Sequence, residues 1–242
     1  MRNDLTIGLV VPTANHEIPP EGPAMYPGVR FIARSAPVRD LTPQGYDPAW
    51  NAILPAADYL VAQGVDAIMV IGTSLTFFRG PQEHDRLLAE LRRRTGLPVS
   101  TMSQSIIDGL REVGANRVAV ATAYTEVVNN KLKELLAAAG IETLSLECFD
   151  LLDFGGPKHK TEDDIIELSI SAAAHAKSAD GILISCGGLR TLEVTKPLEA
   201  RTGLPVVSSA TAAFWAAMRL VGQSGYMADH GRLFEQAKQP VH

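Results

Sequence analysis

One stretch of this 242-residue chain occurs twice at a fixed spacing, and that limits what the chain can fold into. Asp66-Ala-Ile-Met-Val-Ile-Gly72, followed by Arg94-Thr-Gly-Leu-Pro-Val-Ser100, returns as Asp180-Gly-Ile-Leu-Ile-Ser-Cys186, followed by Arg201-Thr-Gly-Leu-Pro-Val-Val207. More loosely, Ile7-Gly-Leu-Val-Val-Pro-Thr13 is echoed by Val118-Ala-Val-Ala-Thr-Ala-Tyr124. Arg-Thr-Gly-Leu-Pro could recur merely as a helix-to-strand connector. A connector, however, would not impose one constant offset on the segments before it (180 − 66 = 114 and 186 − 72 = 114). The pattern points to two similar lobes whose equivalent strand ends face one cleft, with Gly72 opposite Cys186.

Within each copy, short runs rich in Val and Ile alternate with segments of helical periodicity, as in βαβ units on a mostly parallel sheet. Expected strands are 7–11, 29–33, 67–71, 99–102, 117–121, 142–146, 181–185 and 206–208. Expected helices are 48–63, 81–94, 103–113, 126–139, 161–178, 192–201 and 210–221, most ending at Gly or before Gly-Leu-Pro. The fold class is therefore α/β, with two pseudo-symmetric Rossmann-like lobes, each a mostly parallel sheet flanked by helices. The first lobe is expected to take residues 1–113 and 214–242, and the second 114–213.

Composition narrows the function. A net charge of -5 argues against binding nucleic acid, which needs clustered cations, and the one basic knot, Arg92-Arg93-Arg94, falls at an expected helix end. No apolar run is long enough for a signal peptide or a membrane span, so a cytoplasmic location is expected. Cys148 and Cys186 are too few for a structural zinc site and are not expected to pair. The six histidines show no metal spacing, and no phosphate-binding glycine loop is present, so neither a metal nor a cofactor is expected.

Four expected loops follow strands: Pro12-Thr13-Ala14-Asn15, Gly72-Thr73-Ser74-Leu75, Thr122-Ala123-Tyr124-Thr125 and Cys186-Gly187-Gly188-Leu189. In open α/β sheets ligands bind outside the carboxyl ends of strands, so all four can address one crevice. Together they offer accessible backbone N–H groups, the hydroxyls of Thr13, Thr73, Ser74 and Tyr124, and one thiol. Such neutral donors suit a carboxylate that passes through an enediolate, where oxyanion-hole donors contribute about 3–4 kcal/mol each. Cys186 could then protonate the α-carbon, since a thiol of pKa about 8.5 holds its proton at neutral pH yet gives it up readily. A buried structural cysteine is the plainer alternative, and the double glycine after Cys186 weighs against it. Cys148, in Leu146-Glu147-Cys148-Phe149, reads as structural. His16 is the one histidine near these loops that could activate Cys186.

The residues Gly72 to Gly80, Thr101-Met102-Ser103, Ala121 to Tyr124, Gly181 to Leu189, Pro205 to Ser209 and Gly231 to Phe234 closely resemble the arylmalonate decarboxylases. Thr42 to Asp47 matches as well, so the likeness spans nearly the whole chain. These enzymes belong to the aspartate/glutamate racemase superfamily, whose members, maleate isomerases included, normally carry one cysteine in each lobe. Gly72 at the first-lobe position, as in the decarboxylases, implies a lyase with one proton donor and one enantiomeric product.

The resemblance also implies roles. Thr73, Ser74 and Tyr124, with backbone N–H groups of the Ser74-Leu75 and Cys186-Gly187 turns, would form a dioxyanion hole, and Cys186 would protonate the enediolate without a cofactor. Pro12, Val38, Leu41, Tyr46 and Leu75 would wall an apolar pocket for the departing carboxylate, with Gly187 and Gly188 beside the substrate. An unpaired carboxylate is costly in such surroundings, and leaving as neutral carbon dioxide relieves the cost. The first loop departs from the decarboxylase pattern toward that of maleate isomerases, and Thr13 and Asn15 could receive a further carboxylate. The stretch 151–160, with Phe154, Pro157 and His159, departs too. A maleate isomerase-like or racemase-like enzyme on a small carboxylate, and a non-catalytic carboxylate-binding protein, stay open as alternatives, as does the choice between monomer and homodimer.

Overall fold

The computed structural model describes residues 5–236, and in it both copies of the repeat perform the same structural tasks. The Asp66 carboxylate accepts the backbone N–H of Thr6 at 2.8 Å, and Asp180 accepts those of Asn116 and Arg117 at 2.9 and 2.7 Å. Each aspartate thus ties the start of a central strand to its neighbour. The two Arg-Thr-Gly-Leu-Pro connectors also match. Gly96 and Gly203 end their helices in the left-handed conformation, with φ of 65° and 73°, and Thr95 and Thr202 return their hydroxyls to the helix carbonyls of Leu91 and Leu198.

In chain order the elements of the first half are β1 Thr6–Val11, α1 Glu21–Met25, β2 Arg30–Ser35, α2 Pro43–Ala62, β3 Ala67–Val70, α3 Thr73–Phe77, α4 Pro81–Thr95, β4 Val99–Thr101 and α5 Met102–Glu112. The second half follows with β5 Arg117–Thr122, α6 Glu126–Ala138, β6 Glu142–Cys148, a 3-10 turn Gly156–His159, α7 Glu162–Ala174, β7 Gly181–Ser185, α8 Thr195–Thr202, β8 Val206–Ser208, α9 Ser209–Leu220 and α10 Arg232–Glu235. They build two four-stranded parallel sheets of the same order, β2-β1-β3-β4 and β6-β5-β7-β8. The expected two-lobed α/β architecture is the one observed.

The central strands β1, β3, β5 and β7 carry the apolar runs and are buried almost throughout, because helices cover both faces. Helix α9 packs on β3 and β4 of the first sheet and on β7 and β8 of the second, and lies along α5. Residues 213 and 214, at the approximate lobe boundary expected from sequence, both fall inside α9. Among the described residues no helix is long and apolar enough to cross a membrane.

Two differences from the sequence reading bear on the site. Helix α2 starts at Pro43 rather than Pro48, because Thr42 caps it by accepting the Gly45 N–H at 3.3 Å and Pro43 occupies the first turn, where its missing N–H costs nothing. The expected loop at Gly72 to Leu75 is instead the beginning of helix α3, capped by Gly72.

Candidate active site

Gly72 turns β3 into α3 with φ +110° and ψ 91°, a region that residues with a side chain rarely adopt. The turn is fixed from beneath. Thr76 donates its hydroxyl to the carbonyls of Gly72 and Thr73, and Ser103 donates to the Thr73 carbonyl at 2.9 Å. The first-turn amides of Thr73, Ser74 and Leu75 have no partner within the helix, as at any helix start. In the other lobe Asn129, on α6, grips the loop that carries Tyr124. Its side chain accepts from the Thr122 hydroxyl at 2.7 Å and donates to the Tyr124 carbonyl at 3.2 Å. Sequence reading gave Thr76, Ser103 and Asn129 no role of their own, although a buried asparagine on the apolar face of a helix is a signal that could have been used.

Between these strand ends lies a cavity of about 260 Å³. It is lined by Gly72, Thr73, Ser74 and Leu75 from one lobe and by Tyr124, Cys186, Gly187 and Gly188 from the other. Pro12 and Thr13, after β1, and Val38, Leu41 and Tyr46, all expected from sequence, line it as well. Tyr46 arrives on the early turns of α2 and stacks on Phe78 with ring centroids 4.8 Å apart. Phe154 and Pro157, from the stretch after β6, also line it.

Asn15 does not line the cavity. Its segment turns outward and is exposed, so of the two polar residues expected in that loop only Thr13 faces the space. His16 lies outside as well. Its Nδ1 accepts the Ser35 N–H at 3.1 Å and its Nε2 meets Arg34 at 3.3 Å, so the ring is engaged at the surface, outside the lining that holds Cys186. Cys148 ends β6, half-buried and away from the lining, whereas Cys186 is buried within it.

The polar atoms of the cavity are unusual in having no well-directed partner. The hydroxyls of Thr13, Tyr46, Thr73, Tyr124 and Ser185 are all buried without a hydrogen bond of good geometry, although buried polar groups are ordinarily satisfied. Ser185 stands next to Cys186 at the end of β7, and its hydroxyl and that of Thr73 lie close enough to Tyr124 to oppose the effect of burial on it. Burial dominates nonetheless and pushes Tyr124 well above the ordinary phenol range.

Burial likewise pushes the Cys186 thiol up to about 11. The backbone N–H groups of Gly188 and Leu189 and the Tyr124 hydroxyl pull the other way. Close approach explains the glycines. A Cβ on Gly187 would stand 2.7 Å from the Met102 sulfur, and one on Gly188 would stand 3.1 Å from Pro157. The result is a protonated thiol beside free hydroxyls and amides, in a recess with apolar walls. Such a site can hold an anionic oxygen and deliver a proton next to it.

The family model described as arylmalonate decarboxylase matches residues 7–234. The chain belongs to the arylmalonate decarboxylase family. It is 38% identical to the arylmalonate decarboxylase of Bordetella bronchiseptica, over 96% of this chain and 97% of that one. A crystal structure of a glycine-to-cysteine, cysteine-to-serine double variant of arylmalonate decarboxylase in the liganded form superposes with a TM-score of 0.94. It covers 96% of this chain and 99% of its own, at 36% identity. Maleate isomerases are more distant relatives, with the enzyme of Geobacillus stearothermophilus 26% identical over 96% of this chain and 98% of that one.

Proposed function

We propose that this member of the arylmalonate decarboxylase family removes one carboxylate from an α-aryl malonate without a cofactor and that Cys186 protonates the resulting carbon. One substrate carboxylate is held by the hydroxyls of Thr73, Ser74 and Tyr124 and by first-turn amides of α3. The other sits against Pro12, Val38, Leu41 and Leu75. The bond from the α-carbon to that second carboxylate breaks, its electron pair spreads into the retained carboxylate as an enediolate, and neutral carbon dioxide departs. The Cys186 thiol gives its proton to the α-carbon. Solvent then returns a proton to the thiolate, which the Gly188 and Leu189 amides stabilise meanwhile.

The observation that carries this reading is the raised pKa of a buried Cys186 among unpartnered donors. With the thiol pushed up to about 11, the protonated form dominates at pH 7. That favours proton donation. It weighs against addition of Cys186 to a double bond, which needs a thiolate near neutral pH. The unpartnered hydroxyls carry the second half, because a carboxylate replaces hydrogen bonds that the protein itself leaves unmade.

The test is carbon dioxide release from phenylmalonate in metal-free buffer. Cys186→Ala should lose about a hundredfold or more of the rate, in line with the loss of a positioned acid, while Cys148→Ala keeps it. Equal losses in the two variants would exclude Cys186 as the specific proton donor.

A further inference from the structure

Around Cys186 the cavity offers neutral hydroxyls and apolar walls, but its lining also includes four charged residues, Glu17, Glu21, Lys158 and Arg190. Lys158 lies in the 3-10 turn after β6, and Arg190 follows Cys186-Gly187-Gly188-Leu189 at the end of β7. Both are exposed, and among the described residues neither makes an ion pair or a side-chain hydrogen bond. Many other cations of this chain are committed, such as Arg79 to Asp47, Arg94 to Asp58 and Lys196 to Asp229.

Two carboxylates share the lining: Glu17 is exposed, whereas Glu21 is 6% exposed, and burial raises its pKa, a rise that the charge of Arg190 opposes. The lining thus carries two exposed cations beside these two carboxylates, on a chain whose net charge is -5. Neither cation is needed by the inner carboxylates, one of which is held by neutral donors and the other by an apolar wall. Arginine and lysine brought to one lining from two segments suit a carboxylate, which accepts two donors side by side.

We infer that Lys158 and Arg190 form an anion subsite at the mouth of this cavity, and that the preferred substrate is a malonate whose aryl substituent carries a further carboxylate at its outer end. The inference rests on the proposed decarboxylation for the placement of the two inner carboxylates. It adds the chemistry of the third group.

The experiment compares kcat/KM for phenylmalonate and (4-carboxyphenyl)malonate in the wild type and in the Lys158→Ala, Arg190→Ala double variant. The wild type should prefer the carboxylated substrate about tenfold or more, the scale of one charge-assisted hydrogen bond, and the double variant should lose that preference. Lys158→Arg with Arg190→Lys should retain much of it. Absence of a preference in the wild type, or an equal fall on both substrates in the double variant, overturns the subsite. If neither malonate is decarboxylated, binding of 4-carboxyphenylacetate against phenylacetate is measured by calorimetry. A preference that disappears in the double variant upholds the subsite without the reaction, and no preference overturns it.

Discussion

Gly72 follows β3 of one sheet as Cys186 follows β7 of the other, and the two line one cavity. The 114-residue offset in the sequence thus brings equivalent strand ends of the two lobes to one site. Gly72→Cys would put a second thiol in the cavity with the first. The cost is specific: at φ +110° a side chain is strained, and a Cβ would lie 3.3 Å from Leu75 Cβ and 3.5 Å from Pro12 Cγ. The variant should lose about 1–3 kcal/mol of stability, read by thermal unfolding. It should also exchange the α-hydrogen of 2-phenylpropionate in deuterated water and erode its optical purity. A folded variant that does neither would argue against a substrate lying between the two positions.

The pH response of Cys186 gives a second expectation. Its pKa is raised in the folded chain, so the folded protein keeps a proton that the unfolded chain gives up near pH 9. Stability should be unaffected by this group below that point and should fall as pH rises toward about 11. The loss is on the order of 2–3 kcal/mol. Denaturant unfolding of wild type and Cys186→Ala at pH 8 and pH 10.5 isolates the contribution, because other titrating groups are common to both. Alkylation of Cys186 by iodoacetamide should be slow at pH 7 and accelerate over the same interval. Fast alkylation at pH 7 would contradict a buried protonated thiol and reopen the isomerase chemistry.

Tyr124 separates function from stability. Its ring is buried and meets Phe77 edge-on at 5.9 Å, while its hydroxyl is buried without a well-directed partner. Tyr124→Phe keeps the packing and removes a group whose burial is costly, so the melting temperature should hold or rise slightly. If the hydroxyl binds the enediolate, kcat should fall by about 10²-fold, the scale of one lost oxyanion donor. A variant with full activity would exclude Tyr124 from the donor set.

Much of the fold was legible because parallel strands buried on both faces must be nearly continuous apolar runs, which is how β1, β3, β5 and β7 read. The site was legible where chemistry follows a strand end directly, as at Thr73, Tyr124 and Cys186. The start of α2 was misplaced because two prolines, Pro43 and Pro48, both carry a helix-start signal and only the Thr42 cap decides between them. Helix α3, five residues long, is too short to show a period. Lys158 and Arg190 escaped notice for a different reason. They sit on irregular segments brought to the cavity by tertiary folding, and no local pattern marks an exposed cation that also lines a pocket.

Asp66 and Asp180 show what the duplication does apart from chemistry. Each carboxylate accepts backbone N–H groups at the start of a neighbouring strand, but Asp180 serves Asn116 and Arg117 while Asp66 serves Thr6. Replacing either by Ala leaves those amides to water and removes charge-assisted bonds of about 1.5–3 kcal/mol each at most, less where solvent competes. Asp180→Ala should therefore cost more than Asp66→Ala, by about 1 kcal/mol, in urea unfolding at neutral pH. Both residues lie at the amino ends of strands, opposite the cavity, so kcat on phenylmalonate should stay within about twofold of wild type at temperatures where the variants are folded. Equal costs would mean that the second amide contact of Asp180 adds nothing, and a large fall in kcat would mean that the strand starts set the geometry of the site.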